Sequence, residues 1–165
     1  MRRVVLVSGA PGAGKSTLAG PLAAELGFAL LTKDRIKETL HDALAPGARW
    51  PGAPGGPELA ARLAAAGVSP PARGAGDPAP DAVSLAWLRW LGGASMELLW
   101  TLAADQPDVV LEASFRPHLA YERGRIMALD ASVVEVHCAC PPALAAQRYA
   151  AAGARTGIRS TWSPG

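Results

Sequence analysis

The stretch Arg3-Val4-Val5-Leu6-Val7-Ser8-Gly9-Ala10-Pro11-Gly12-Ala13-Gly14-Lys15-Ser16-Thr17 decides how the rest of the chain is read. Residues 3–8 are mainly β-branched and aliphatic, and Gly9 ends the run. A continuous apolar run of this length reads as a strand buried on both faces, which implies a parallel sheet covered by helices. Residues 9–16 match G-x-x-x-x-G-K-[ST] at every fixed position. The glycines let the backbone turn sharply and approach a phosphate with no Cβ in the way. Successive N–H groups then form a nest, and the following helix adds its positive end. Lys15 supplies a charge for the β- and γ-phosphates, and Ser16 a hydroxyl for Mg²⁺. Gly9, Ala10, Pro11, Gly12, Ala13, Gly14, Lys15, Ser16 and Thr17 are therefore read as the binding loop for a nucleoside triphosphate, ATP or GTP, with Mg²⁺.

The neighbouring segments extend the same pattern. Residues 15–26 carry apolar side chains at 18, 19, 22, 23 and 26, a helical stripe, with Gly27 as its stop. Residues 28–32 read as a second strand and residues 34–44 as a second helix with Ile36, Leu40 and Leu44 on one face. Strand, loop, helix, strand, helix opens a doubly wound α/β fold. Further on, residues 108–112 and 132–138 read as strands. Residues 118–129 and 142–152 read as helices, with Pro141-Pro142 suited to a first turn. Residues 81–104 form the longest apolar stretch. Arg89, Glu97 and Gly92-Gly93 interrupt it, so it reads as one buried helix or two shorter ones, not a membrane span. Residues 45–80 are dominated by Pro, Gly and Ala, a composition that resists a packed core. This insertion is either a lid over the site or a tolerated surface insertion. From about residue 153 the chain reads as an irregular tail. The expected organisation is one domain over residues 1–165.

Composition narrows the classes. A chain of 165 residues holds one domain with a real core. The net charge is +2 with no long run of Lys or Arg, which gives no argument for nucleic acid or a membrane surface. Two cysteines, Cys138 and Cys140, make no disulfide framework and too small a ligand set for a metal, and both read as packing residues. A reducing, cytoplasmic setting is the simplest expectation. The N-terminal apolar run enters the Gly-rich loop without the hydrophobic length or cleavage site of a signal peptide.

What becomes of the γ-phosphate depends on residues outside the loop. Asp34 follows the second strand, and ligands of open parallel sheets gather at the carboxyl ends of strands. There an Asp either accepts the proton of an attacking hydroxyl or caps the helix, and both roles are compatible. Glu112 closes the apolar run Val109-Val110-Leu111, where an acid faces Mg²⁺ or its waters. Arg148, and less directly Arg155 and Arg159, lie in or after the last helix, from which a guanidinium can neutralise a transferring phosphoryl group. Arg116 and His118 follow Glu112 in the loop after its strand; Arg116 is placed at the substrate, and His118 reads as ordinary surface.

Residues 9–17, Leu31-Thr32-Lys33-Asp34-Arg35-Ile36-Lys37-Glu38, Val110-Leu111-Glu112-Ala113-Ser114-Phe115-Arg116 and Val136-His137-Cys138-Ala139-Cys140-Pro141-Pro142 with Arg148 together resemble a known group. It comprises the small P-loop kinase-like ATP-binding proteins of AAA type, related to chloramphenicol phosphotransferase, zeta toxins and the kinase domain of polynucleotide kinase. The resemblance covers about residues 3–150. It implies the three-layer α/β P-loop NTPase fold with a parallel sheet in the order 2-3-1-4-5. It implies that Asp34 occupies the place of the general base, Lys37 a basic position near the acceptor, and Arg148 the start of an arginine-bearing lid. Residues 156–165 depart from the pattern of a lid followed by a fifth strand, so a shortened member lacking that strand is expected, which bears on turnover more than on phosphate binding. The leading expectation is an ATP-dependent kinase acting on a hydroxyl of a small molecule or nucleotide, as a monomer or small homo-oligomer. The competing one is a weakly active nucleotide-binding module read by a protein partner. The short chain, with no obvious helical lid domain, argues against a motor-like ring ATPase.

Overall fold

The structure, a computed structural model, describes residues 1–44, 85–116 and 118–156. Their elements in chain order are β1 (Arg3–Gly9), α1 (Lys15–Leu26), β2 (Ala29–Thr32), α2 (Lys33–Leu44), α3 (Leu85–Ala104), β3 (Asp108–Glu112), α4 (Ala120–Met127), β4 (Ser132–Cys138) and α5 (Pro142–Thr156). The four strands form one parallel sheet in the order β2-β3-β1-β4, as the P-loop reading requires. The insertion at 45–80 and the tail from 157 lie outside the described residues. The last helix runs on to Thr156, so residues 153–156 are helical rather than the irregular segment expected there. The Ala-rich composition of the preceding turns explains the continuation, since Ala carries the strongest helix propensity. Leu85–Ala104 forms one helix rather than two, and no described helix is long and apolar enough to cross a membrane.

These residues group into two compact units, one of residues 1–33 with those from 99 onward, the other of residues 34–98. In the first unit, β1 and β3 are the central strands. Val4, Leu6, Val7, Val109, Val110 and Leu111 are buried, which is why neither strand alternates polar with apolar residues. β4 is less enclosed, and Val134 is 56% exposed. α1 meets the sheet through small residues: Ala19 and Ala23 pack with Val7 and Val110, and Leu22, Phe28 and Cys138 close the cluster. Leu18 and Leu26, expected in the same stripe, are exposed, because two alanines suffice to bring the helix against the strands. Gly27 ends α1 with φ of 67°, its N–H bonded to Ala24, while Phe28 N–H reaches back to Ala23 at 3.0 Å. That paired return is the Schellman stop, which needs a residue without a Cβ penalty at this conformation.

In the second unit, α2 buries Leu40 with Ile36 and Leu44 half-buried, the expected face. The Trp87 and Trp90 rings stack with centroids 5.0 Å apart, in keeping with a packing role.

The amino end of β1 is tied down by two arginines. The Arg2 guanidinium donates to the carbonyls of Ala103 at 2.6 Å, Leu129 at 2.7 Å and Gln106 at 3.0 Å. It thereby satisfies the end of α3 and the turns before β3 and β4 with one side chain, a charge placed at a helix carboxyl end. Arg3 forms an exposed bidentate pair with Asp108, and its hydrogen bond holds the Asp108 carboxyl below the usual range. That contribution is present at neutral pH and is lost as pH falls through the lowered value. Arg2 bears more weight because its removal takes three hydrogen bonds at once, although the Ala103 carbonyl keeps the Gln106 N–H. Arg2→Ala is expected to lower stability by about 2 kcal/mol. Urea denaturation checks this: the midpoint should fall with an unchanged slope.

Candidate functional site

The turn out of β1 is built on positive φ angles: 140° at Gly9, 80° at Gly12 and 92° at Gly14. Two of these glycines are also places where backbone meets backbone. A Cβ on Gly9 would stand 2.7 Å from the Cys138 carbonyl oxygen of β4. A Cβ on Gly12 would stand 2.1 Å from the Ala145 carbonyl oxygen and 3.1 Å from the Tyr149 nitrogen of α5. Gly14 is different, since nothing lies within 4 Å of its Cβ position. Gly14 also stands at the N-cap of α1, and no side chain caps that helix. In its first turn the Thr17 N–H already donates to the Gly14 carbonyl at 3.1 Å, and the amides before it, at the very start of a helix, are the ones that suit an anion.

Lys15 is 6% exposed, and its ammonium donates to the Ala10 carbonyl at 3.0 Å. The Ala13 N–H uses the same carbonyl at 3.1 Å, so the loop folds around one oxygen and holds its cation inside. Ser16 Oγ donates to Glu112 Oε1 at 2.6 Å. Glu112 is buried at the carboxyl end of β3, where the register sets it opposite Val7 of β1 and Thr32 of β2. Two residues 96 positions apart thus bring a hydroxyl and a carboxylate together beside the loop. Oxygen donors of this kind suit a hard divalent cation. Among the described residues no group of three or more His, Cys, Asp or Glu side chains gathers around a metal. The arrangement fits Mg²⁺, which is usually bound by one or two carboxylates together with substrate phosphates.

The remaining candidates stand as follows. Arg148 is exposed on α5, within the turn between Ala145 and Tyr149, the two residues whose backbone abuts Gly12. Arg116 is exposed in the loop after β3, and so is His118. Asp34 and Lys37 belong to α2 in the second unit, Asp34 exposed and Lys37 half-buried, with Asp34 two residues beyond Thr32. The side chain of Arg155 and the whole of Arg159 lie outside the described residues. Cys138 and Cys140 are free and half-buried, with Cys138 packed behind the loop.

Three contributors carried no legible signal. Ser8, buried just before the loop, shares a 2.8 Å hydrogen bond with His137 Nδ1 of β4. The Ala145 carbonyl that Gly12 accommodates belongs to an ordinary Ala-rich turn. Glu122, an acid in the first turn of α4, is buried and accepts a hydrogen bond from the Arg116 N–H. Each depends on a partner distant in sequence or on a conformation, and only the Ser8–His137 pairing of facing strand positions follows from the register.

A family model described as "AAA domain" matches residues 4–162. Among curated proteins none matches the chain. Among solved structures, a kinase candidate from Chloroflexus aurantiacus shares 21% identity with a TM-score of 0.65, covering 95% of this chain and 69% of that one. The PezAT chromosomal toxin–antitoxin system of Streptococcus pneumoniae matches at 14% identity and a TM-score of 0.53, covering 96% and 55%. The APS kinase of Mycobacterium tuberculosis, in complex with AMPPNP and APS, matches at 21% and 0.51, covering 98% and 78%. At these identities the likeness bears on the fold. The chain spans about half the length of the toxin-system chain it matches.

The loop glycines should respond unequally to a methyl group. Gly14→Ala is expected to cost about 1–2 kcal/mol, the strain of a left-handed conformation with no clash. Gly12→Ala should cost roughly 1–3 kcal/mol more, because the added carbon meets the backbone of α5. Thermal or urea unfolding of the two variants checks the order.

Proposed function

The chain belongs to this AAA-domain family, and on that premise we propose that it is an ATP-dependent kinase transferring the γ-phosphate to a hydroxyl of a small molecule or nucleotide. The observation that carries the reading is the Ser16 hydroxyl on the Glu112 carboxylate, beside a Gly-rich turn that encloses the Lys15 ammonium. A turn that only bound phosphate would need the amides and the lysine. The buried acid at the end of β3 adds a means of holding a divalent cation against them.

In this reading the amides at the start of α1 and Lys15 hold the β- and γ-phosphates. Ser16 and Glu112 hold Mg²⁺, which when bound neutralises charge building on the phosphate oxygens. Asp34 accepts the proton of the acceptor hydroxyl, Lys37 and Arg116 meet the acceptor, and Arg148 steadies the transferring group. Support for Asp34 is its position two residues past Thr32, whose register partner is Glu112. Support for Arg148 is its place on α5 beside the turn that contacts Gly12. Phosphoryl transfer asks little covalent chemistry of a protein, so positioning and electrostatics carry most of the rate.

Incubation with labelled ATP·Mg²⁺ and a panel of hydroxyl acceptors tests the proposal. Labelled product supports it. ATP binding without transfer to any acceptor favours a nucleotide-binding module that acts through a protein partner.

Two substitutions separate binding from chemistry. Lys15→Ala removes one charge-assisted phosphate contact, worth about 1.5–3 kcal/mol, and should weaken ATP·Mg²⁺ binding roughly tenfold or more by calorimetry. α2 starts at Lys33, so Asp34 lies in its first turn and is not the N-cap; Asp34→Asn keeps the size of the side chain but removes the proton acceptor. ATP affinity should stay near the parent value while transfer falls about 10²–10⁴-fold. Transfer at the parent rate would leave Asp34 only as an acid in the first turn of α2.

A further inference from the structure

The loop between β3 and α4 is held at Ala113, Phe115 and Arg116. The Ala113 N–H donates to the Val7 carbonyl of β1 at 3.3 Å. Phe115 is buried, its ring centroid 5.3 Å from that of Trp100. At Arg116 both backbone groups are engaged: the N–H donates to Glu122 Oε2, and the carbonyl accepts from Leu119 N–H at 2.9 Å. The Arg116 side chain, by contrast, is exposed. A guanidinium therefore projects from a fixed Cα four residues beyond Glu112, the acid that meets Ser16.

Glu122 is the unexpected member of this arrangement. It is 8% exposed, and burying a carboxylate is unfavourable unless it is hydrogen-bonded. An apolar side chain would fill the same space at lower cost. What the carboxylate adds is an acceptor for one particular amide, that of Arg116. A planar guanidinium on a held backbone is suited to reading a phosphate or carboxylate through paired hydrogen bonds.

We propose that Glu122 is a positioning residue which, through the Arg116 amide, sets the Arg116 guanidinium for an acceptor bearing an anionic group. The inference rests on the kinase reading above and narrows its acceptor to hydroxyl compounds that carry a phosphate or carboxylate. Glu122 does not touch the acceptor; it acts by fixing where Arg116 begins.

The test uses the full chain with ATP·Mg²⁺ and matched acceptors: glycerol against glycerol 3-phosphate and glycerate, and ribose against ribose 5-phosphate. The parent should favour the anionic members. Glu122→Ala should raise the KM of the favoured acceptor roughly tenfold to a hundredfold, with kcat and the KM for ATP little changed. Glu122→Gln keeps an oxygen acceptor for the amide and should restore the parent KM. Hydrogen exchange at the Arg116 amide should be faster in Glu122→Ala and slow again in Glu122→Gln. Arg116→Gln leaves the latch in place and should abolish the preference for anionic acceptors, so the proposal stays testable even where Glu122→Ala does not fold. Faster exchange with an unchanged acceptor KM would make Glu122 a structural latch only and overturn the proposal. Equal use of neutral and anionic acceptors by an active parent would overturn it as well. A parent that phosphorylates none of them overturns the kinase reading and this inference with it, an outcome distinct from the other failures, which arise in an active enzyme.

Discussion

The close approach of two backbones at Gly12 constrains everything around the loop. The Ala145 carbonyl of α5 occupies the space a side chain would need, so the turn and the last helix are packed against each other without intervening atoms. Gly9 repeats the condition against the Cys138 carbonyl of β4. Glycine at these positions serves packing as well as left-handed geometry, a distinction the motif does not make. Of the three loop glycines with positive φ, only Gly14 faces open space, and it is the glycine at the head of α1, where the first amides suit an anion.

From that packing follows the distribution of charge. The parallel register sets Glu112 level with Val7 and Thr32, so the acid ends where β1 enters the loop. Buried there, the carboxylate accepts from Ser16, while Lys15 turns back onto the Ala10 carbonyl. A cation and an anion are thus both enclosed at the carboxyl end of one sheet, each with a hydrogen bond. Groups held in this way do not have to reorganise when phosphates arrive, which is the physical basis of electrostatic preorganisation. The amino end of the same strand is anchored separately, by the Arg2 guanidinium on three carbonyls, so β1 is held at both ends.

Much of this was legible in advance, for identifiable reasons. The strands of residues 108–112 and 132–138, and the helix of residues 15–26, were readable to the residue because apolar runs and a glycine stop mark their limits. The end of α5 was not, since an alanine-rich stretch containing one Gly carries no clear stop signal. The alanine face of α1 was only half legible: hydrophobicity favours the leucines, whereas close packing on a sheet favours the smaller side chains. Nothing in the sequence sets Glu122 apart from the other acids; its burial does.

The amino-acid sequence by itself determined the phosphate-binding turn, the strand before it and the helix after it. These depend on local conformation and on residues within one short stretch: glycines for positive φ, an apolar run for a buried strand, a lysine and a serine in fixed places. Tertiary structure decided which distant groups meet that turn. Glu112 reaches Ser16 across 96 residues, and Ala145 lies against Gly12. No local pattern encodes these contacts, because each is set by strand register and helix packing, and those are properties of the folded chain as a whole.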